Sequence, residues 1–154
     1  MNLTIKRTKE VEARRLLEIQ TEAFAEDLKR YEDYDTNPVN ESIERLLWKI
    51  AAFIHYTIWL GDEIIGGADV RDLQENKYRL NRIFLSNEYQ NKGLGSKIME
   101  LIESEFPSAN EWSLDTPYLN TRNHHFYEKL GYKKVGQHQI SAKLLLIDYV
   151  KKVV

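Results

Sequence analysis

Tyr89-Gln90-Asn91-Lys92-Gly93-Leu94-Gly95-Ser96-Lys97 is the stretch whose residue types and spacing point most directly to chemistry. It follows an apolar run from Leu80 to Leu85 and precedes an amphipathic segment from Ile98 to Phe106. That order reads as strand, glycine turn, helix. Such a turn aims backbone N–H groups and a helix N-terminus at one point, which suits a phosphate. Gly93 and Gly95 allow a ligand to approach the backbone closely and allow a positive φ. Two familiar phosphate loops fail on spacing. A dinucleotide fingerprint needs a glycine three positions after Gly95, where Ile98 stands. A P-loop needs Gly-Lys-Ser/Thr, and the order here is Gly-Ser-Lys. Taken alone, the segment also fits a plain tight turn.

A second segment lies downstream. Asn120-Thr121-Arg122-Asn123-His124-His125-Phe126-Tyr127-Glu128-Lys129-Leu130-Gly131-Tyr132 follows a short strand-like run from Glu111 to Asp115. With Gln90-Asn91-Lys92-Gly93-Leu94-Gly95 ahead of it, the chain resembles the GNAT family of acetyl-CoA-dependent N-acetyltransferases. The family pattern is strand, Gln/Arg-x-x-Gly-x-Gly/Ala, helix. Another strand, Asn, and a helix with Phe-Tyr-Glu-x-x-Gly-Phe/Tyr then follow. The resemblance covers Tyr78 to Val135, and the flanks agree in the order of elements. It implies acetyl-CoA as cosubstrate, with the pyrophosphate held by backbone N–H groups of Asn91 to Ser96. Gln90, Lys92, Gly93, Leu94 and Gly95 belong to the same cofactor-binding set. Lys92 either adds charge to a phosphate or stays a solvated turn lysine. Backbone groups of Ile83, Phe84 and Leu85 would pair with the pantetheine arm as an added strand does. Asn120 would bond the pantetheine, hold the loop, or cap the following helix.

Acetyl transfer to an amine needs proton transfer. An alkyl amine has a pKa of about 10.4, so roughly 0.04% is the free nucleophile at pH 7. A base should remove one proton, and an acid should protonate the departing thiolate. By resemblance, Tyr127 is that acid, or else a packed helix tyrosine. Asp115 matches a carboxylate used as base in some members, and it equally fits an Asx-turn before Thr116-Pro117. The fourth strand carries Asn81 and Arg82 where other members place a base, and neither accepts a proton readily at neutral pH. For the acceptor, Glu26, Asp27, Tyr31 and Tyr34 mix carboxylates with aromatics. They suit a cationic amine through charge pairing and cation–π contact, or form a solvated face. His124 and His125 point about 100° apart on a helix, His55 and His138 are isolated in sequence, and no spacing suggests a metal site.

The 154 residues suit a single domain spanning 1–154. A hydrophobic content of 42% and a charged content of 30% are ordinary for a globular protein. A net charge of −2 gives no electrostatic footprint for nucleic acid. With no Cys, acyl transfer is direct or uses a non-thiol nucleophile. No long apolar run or signal-like start predicts a membrane segment, so a cytoplasmic protein is the default expectation.

The elements follow from periodicity. Strands are expected over Asn2–Arg7, Ile54–Leu60, Ile64–Val70, Tyr78–Leu85, Trp112–Asp115, Tyr132–Val135 and Ile140–Val150. Helices are expected from Glu10 into the Leu28 region, around Ile43–Ile50, after the glycine turn, and over Asn120–Leu130. Gly66-Gly67 marks a bulge or a close approach. The order βααβββαβαββ resembles the GNAT fold. It implies an α/β (α+β mixed) architecture of about seven strands and four helices, whose mixed sheet splays between its fourth and fifth strands. Direct acetylation of a primary amine, a small cationic one, is the leading function. A catalytically weak CoA-binding sensor and a protein-amine acetyltransferase are the alternatives. The apolar run from Ala142 to Val150 also suggests an exposed C-terminal strand able to form a homodimer.

Overall fold

A computed structural model describes residues 2–153. In chain order the main elements are β1 (Leu3–Arg7), α1 (Ala13–Tyr31), α2 (Ile43–Ala52), β2 (Ile54–Leu60), β3 (Glu63–Asp72) and β4 (Lys77–Leu85). They continue with α3 (Leu94–Ser104), β5 (Glu111–Pro117), α4 (Thr121–Lys129), β6 (Lys133–Gln139) and β7 (Leu145–Lys152). This is the expected order, with short 3-10 turns ahead of α1, α2 and α3.

One seven-stranded sheet runs β1-β2-β3-β4-β5-β7-β6. The α3 crossover makes β4 and β5 parallel, and every other neighbouring pair is antiparallel. The parallel pairing stops at Arg79 opposite Ser113. Both strands run on, to Leu85 and Pro117, without pairing to each other. The register of β4 against β3 shifts at the same place, setting Arg82 opposite Asp69 and Leu80 opposite Val70 with Asn81 as the extra residue. A bulge bends its strand, so β4 turns away from β5 and the sheet opens.

Helices cover both faces. Ile64 packs with Leu16, Ile19 and Leu46 of α1 and α2, while the adjacent Ile65 joins Ile98, Ile102 and Tyr127 of α3 and α4. Adjacent strand residues point to opposite faces, which separates the two helix pairs. Gly66 and Gly67 serve close approach: a Cβ would lie 2.1 Å from the Phe84 carbonyl at Gly66 and 2.7 Å from the Phe84 ring at Gly67.

Two expectations need correction. α1 does not end near Leu28 but continues to Tyr31, where Glu32 closes it in the left-handed conformation. The inward stripe Leu16, Gln20, Phe24, Asp27, Tyr31 has unbroken helical spacing, apolar at first and polar at its end. The C-terminal strand is not exposed, because β5 and β6 flank β7 on its two sides. It offers no edge to another chain. It starts at Leu145, since Ile140 to Leu144 is spent on a hairpin closed by the Ile140 N–H on the Leu144 carbonyl at 2.9 Å. The edges are β1 and β6, and Lys133 and Lys134 on β6 discourage further pairing.

Candidate active site

The splay holds a cleft with two arms. The first, about 440 Å³, runs from the β4 end over the glycine turn and is lined by Ile83, Phe84, Leu85, Gln90, Asn91, Gly93, Gly95 and Ser96. No backbone carbonyl among the described residues accepts from the N–H groups of Asn91, Lys92 or Gly93. The start of α3 leaves those of Leu94, Gly95 and Ser96 without intrahelical partners, and no side chain caps this helix. These donors converge with the positive end of the helix dipole. Lys92 sits in this turn, and Arg122 of α4 adds charge to the arm's wall. A phosphate-bearing group therefore fits.

The two glycines do different work. Gly93 has φ +78, and a Cβ there would meet nothing within 4 Å. Gly95, which lines the arm, also makes room for a helix contact: its Cβ would lie 3.0 Å from the Phe126 ring of α4. Gln90 spends its side chain inside the turn, donating from Nε2 to the Leu85 carbonyl at 2.9 Å. The Ser86 N–H bonds the Ile65 carbonyl on the β3 side. Strand alternation then turns the backbone groups of Ile83 and Leu85 toward the opening and those of Phe84 toward β3. Leu94 packs against the core.

The second arm, about 250 Å³, lies between the end of α1, the α1–α2 connection, β4 and β5. Asp27, Tyr31, Asp33, Arg82 and Asp115 bring charge and hydroxyl to it, and Leu144 and Leu146 close its far side. Asp115 receives Arg79 Nη2 on Oδ2 at 2.6 Å. Asp33 receives the Thr36 hydroxyl and, at 3.4 Å, the Thr36 N–H. Arg82 is drawn back by Glu41 at 3.2 Å, which also takes Lys49 Nζ at 2.6 Å. Burial opposes ionisation of Glu41, but Lys49, Arg82 and Gln20 outweigh it and hold its carboxyl below the ordinary value.

The arms meet at Phe24, Asp27, Ile83, Asn120, Asn123 and Tyr127, which line both. Tyr127 is bracketed by the rings of Phe126, Tyr132 and Tyr149 at 5.1, 5.8 and 6.4 Å. No described residue bonds its hydroxyl, which opens into the junction. Burial, with the negative charge of Asp115, pushes that hydroxyl up to about 12, so it stays protonated at neutral pH. Asn120 stands at the N-cap of α4, but its side chain caps nothing. Its Oδ1 instead accepts from the Tyr31 hydroxyl and from Arg30 at 3.3 Å.

Of the residues expected at the acceptor side, Asp27 and Tyr31 are there. Glu26 lines the first arm, and Tyr34 lines neither, being 64% exposed. Phe24, Arg82, Asn123 and Leu144 were not singled out from sequence as site residues. Phe24 had a signal in the α1 stripe, whereas Leu144 arrives through strand order alone. His138 is not isolated: it lies 3.1 Å from Asp148 and 4.0 Å from Asp115. Their possible ligand atoms lie within 4.8 Å of one another, but the Arg79 charge already occupies Asp115. His124 is structural, facing the Tyr149 hydroxyl at 2.6 Å and the Tyr118 carbonyl at 2.9 Å. No described helix is long and apolar enough to cross a membrane.

The family model described as the acetyltransferase (GNAT) family matches residues 13–132. The chain belongs to the GNAT family. Solved structures frame the fold. The PaiA N-acetyltransferase from Thermoplasma acidophilum, solved in complex with coenzyme A, superposes with a TM-score of 0.77 at 20% identity, covering 99% of this chain and 100% of that one. A spermidine N-acetyltransferase SpeG chimera from Vibrio cholerae and hSSAT gives a TM-score of 0.78 at 14% identity, covering 99% and 96%. Uncharacterized protein YrkN of Bacillus subtilis is 35% identical over 79 residues, which span 50% of this GNAT chain and 43% of YrkN. The match thus spans less than half of that relative's length. This GNAT chain shares its overall fold with these solved neighbours.

Proposed function

We propose that residues 1–154 form a single domain that moves an acetyl group from acetyl-CoA to a small cationic primary amine by direct attack on the thioester. The observation that carries this reading is the junction: a donor-lined arm and an acid-lined arm meet at the open hydroxyl of Tyr127. The N–H groups of Asn91 to Ser96 bind the pyrophosphate, and Gly93 lets it come close. Ile83 and Leu85 pair with the pantetheine as an added strand. The Leu85 N–H polarises the acetyl carbonyl, a fixed donor where negative charge develops. Tyr127 donates its proton to the sulfur as the C–S bond breaks. Asp27, Asp33 and Asp115 make the acceptor arm attractive to a cation. That agrees with a structural neighbour named for spermidine. The family's reaction needs no nucleophile from the chain, in keeping with a sequence without Cys.

Calorimetric titration with acetyl-CoA, and in parallel with ATP and NAD, tests the cofactor arm. Binding of acetyl-CoA alone is expected, followed by CoA release when spermidine or another primary amine is added. Equal binding of ATP or NAD, or no binding of acetyl-CoA, would remove the reading. Binding without turnover on any amine would leave a CoA-sensing domain.

A further inference from the structure

We infer that Asp27 takes the proton from the incoming amine, set in place by Asn120 and Tyr31. This rests on the acetyl-transfer reading above and names the base that the reading leaves open. Asp27 lines both arms, as Tyr127 does. A base and an acid serving one displacement need that shared place: the base at the attacking nitrogen, the acid at the leaving sulfur.

The other carboxylates of the acceptor arm are held by protein donors. Asp115 carries Arg79 at 2.6 Å, and Asp33 carries Thr36. Asp27 makes no ion pair among the described residues. Its surroundings fix it instead. Tyr31 lies one helical turn further along the same face of α1. The Tyr31 hydroxyl and Arg30 both take Asn120 Oδ1, which sets the flip of that amide and leaves its NH2 end for Asp27. Asn120 thus bridges the end of α1 to the start of α4, across the mouth between the arms.

The electrostatics raise the affinity of this carboxylate for a proton. Burial is the largest effect on Asp27 and holds its carboxyl above the ordinary value, with the charge of Glu26 adding slightly. The Asn120 amide and the Arg30 charge pull the other way without cancelling it. From the facing elements, the carboxylates Asp33 and Asp115, the cations Arg82 and Arg122, and the hydroxyls of Tyr31 and Tyr127 share its cleft.

The step balances. Asp27 takes one proton from the ammonium, and the nitrogen lone pair forms the C–N bond. The C–S bond breaks with its electron pair going to sulfur, which takes the Tyr127 proton. The second proton of the nitrogen passes to the Tyr127 phenolate, restoring the hydroxyl, and Asp27 returns its proton to solvent. Amide, thiol and one proton are the products.

The test is kcat/KM against pH, with spermidine or whichever amine of a primary-amine panel turns over, for wild type, D27N, D27E and D115N. Acetyl-CoA affinity is measured alongside. D27N should lower kcat/KM near neutral pH by about 10²-fold and lose the acidic limb, with acetyl-CoA binding close to wild type. D27E should recover part of the rate with a displaced limb, and D115N should keep the limb. A wild-type limb in D27N, or loss of the limb in D115N, would overturn the assignment and leave acetyl transfer standing. Acetyl-CoA binding with no amine turned over would overturn both. If D27N does not fold, carboxyl ¹³C titration of Asp27 in the wild-type CoA complex decides: a value at or below the ordinary range contradicts the role.

Discussion

Along the first arm the groups proposed to hold the cofactor are mainly backbone N–H and C=O, most of them from one turn of nine residues, Tyr89 to Lys97. Along the acceptor arm they are side chains from α1, the α1–α2 connection, β4, β5 and the β6–β7 hairpin. Backbone donors recognise what every acetyl-CoA carries, so a short local motif suffices. Side chains collected from distant segments can change one at a time, so the same frame can receive different amines. The comparison also separates two kinds of failure. Damage to the first arm should abolish cofactor binding, whereas damage to the second should leave it and impair transfer.

Tyr127 stands where that distinction is sharpest. Tyr127→Phe keeps the ring between Phe126, Tyr132 and Tyr149 and removes only the hydroxyl. It should lower kcat by about 10²-fold or more while acetyl-CoA affinity holds, as read by steady-state rates and calorimetry. A comparable loss of affinity would mean that Tyr127 belongs to the cofactor arm alone.

The glycines test whether the first arm is built by conformation or by space. Gly95→Val must push on Phe126 and should cost about 1–3 kcal/mol by overpacking. Gly93→Ala meets no neighbour, and its cost of about 1–2 kcal/mol should come from the positive φ alone. Gly93→Asn, which tolerates that conformation, should regain part of it. Thermal and urea unfolding measure all three, and equal costs for Gly93→Ala and Gly93→Asn would refute the conformational account. The smallest effect expected is at Tyr31. Tyr31→Phe loses the bond to Asn120 and should cost about 1 kcal/mol. It should raise the KM of the amine more than that of acetyl-CoA; the opposite order would blur the two arms.

The sequence was legible where a signal is local. The glycine turn, the Asn120–Tyr132 segment and the alternation of the strands each lie within a few residues, and they singled out Gly93, Asn120 and Tyr127, which line the cleft. The contact of Gly95 with Phe126 was not legible, because it depends on how α3 meets α4. Strand order is non-local as well. Nothing within Ala142–Val150 says that β7 lies between β5 and β6, so an apolar interior strand read as an exposed edge. The acceptor arm was half legible. The stripe Gln20, Phe24, Asp27, Tyr31 was readable on α1, but its meeting with Asp115, Leu144 and Leu146 follows only from the sheet. Arg79 on Asp115 is a pairing between β4 and β5 beside the bulge at Asn81, which no spacing announces.

Amide ¹H–¹⁵N spectra recorded during titration with CoA test the division most directly. The account predicts the largest shifts at Asn91 to Ser96, with Ile83 and Leu85 following, and small ones in the acceptor arm at Asp33, Asp115 and Leu146. Shifts concentrated in the acceptor arm, or an unperturbed glycine turn, would contradict it.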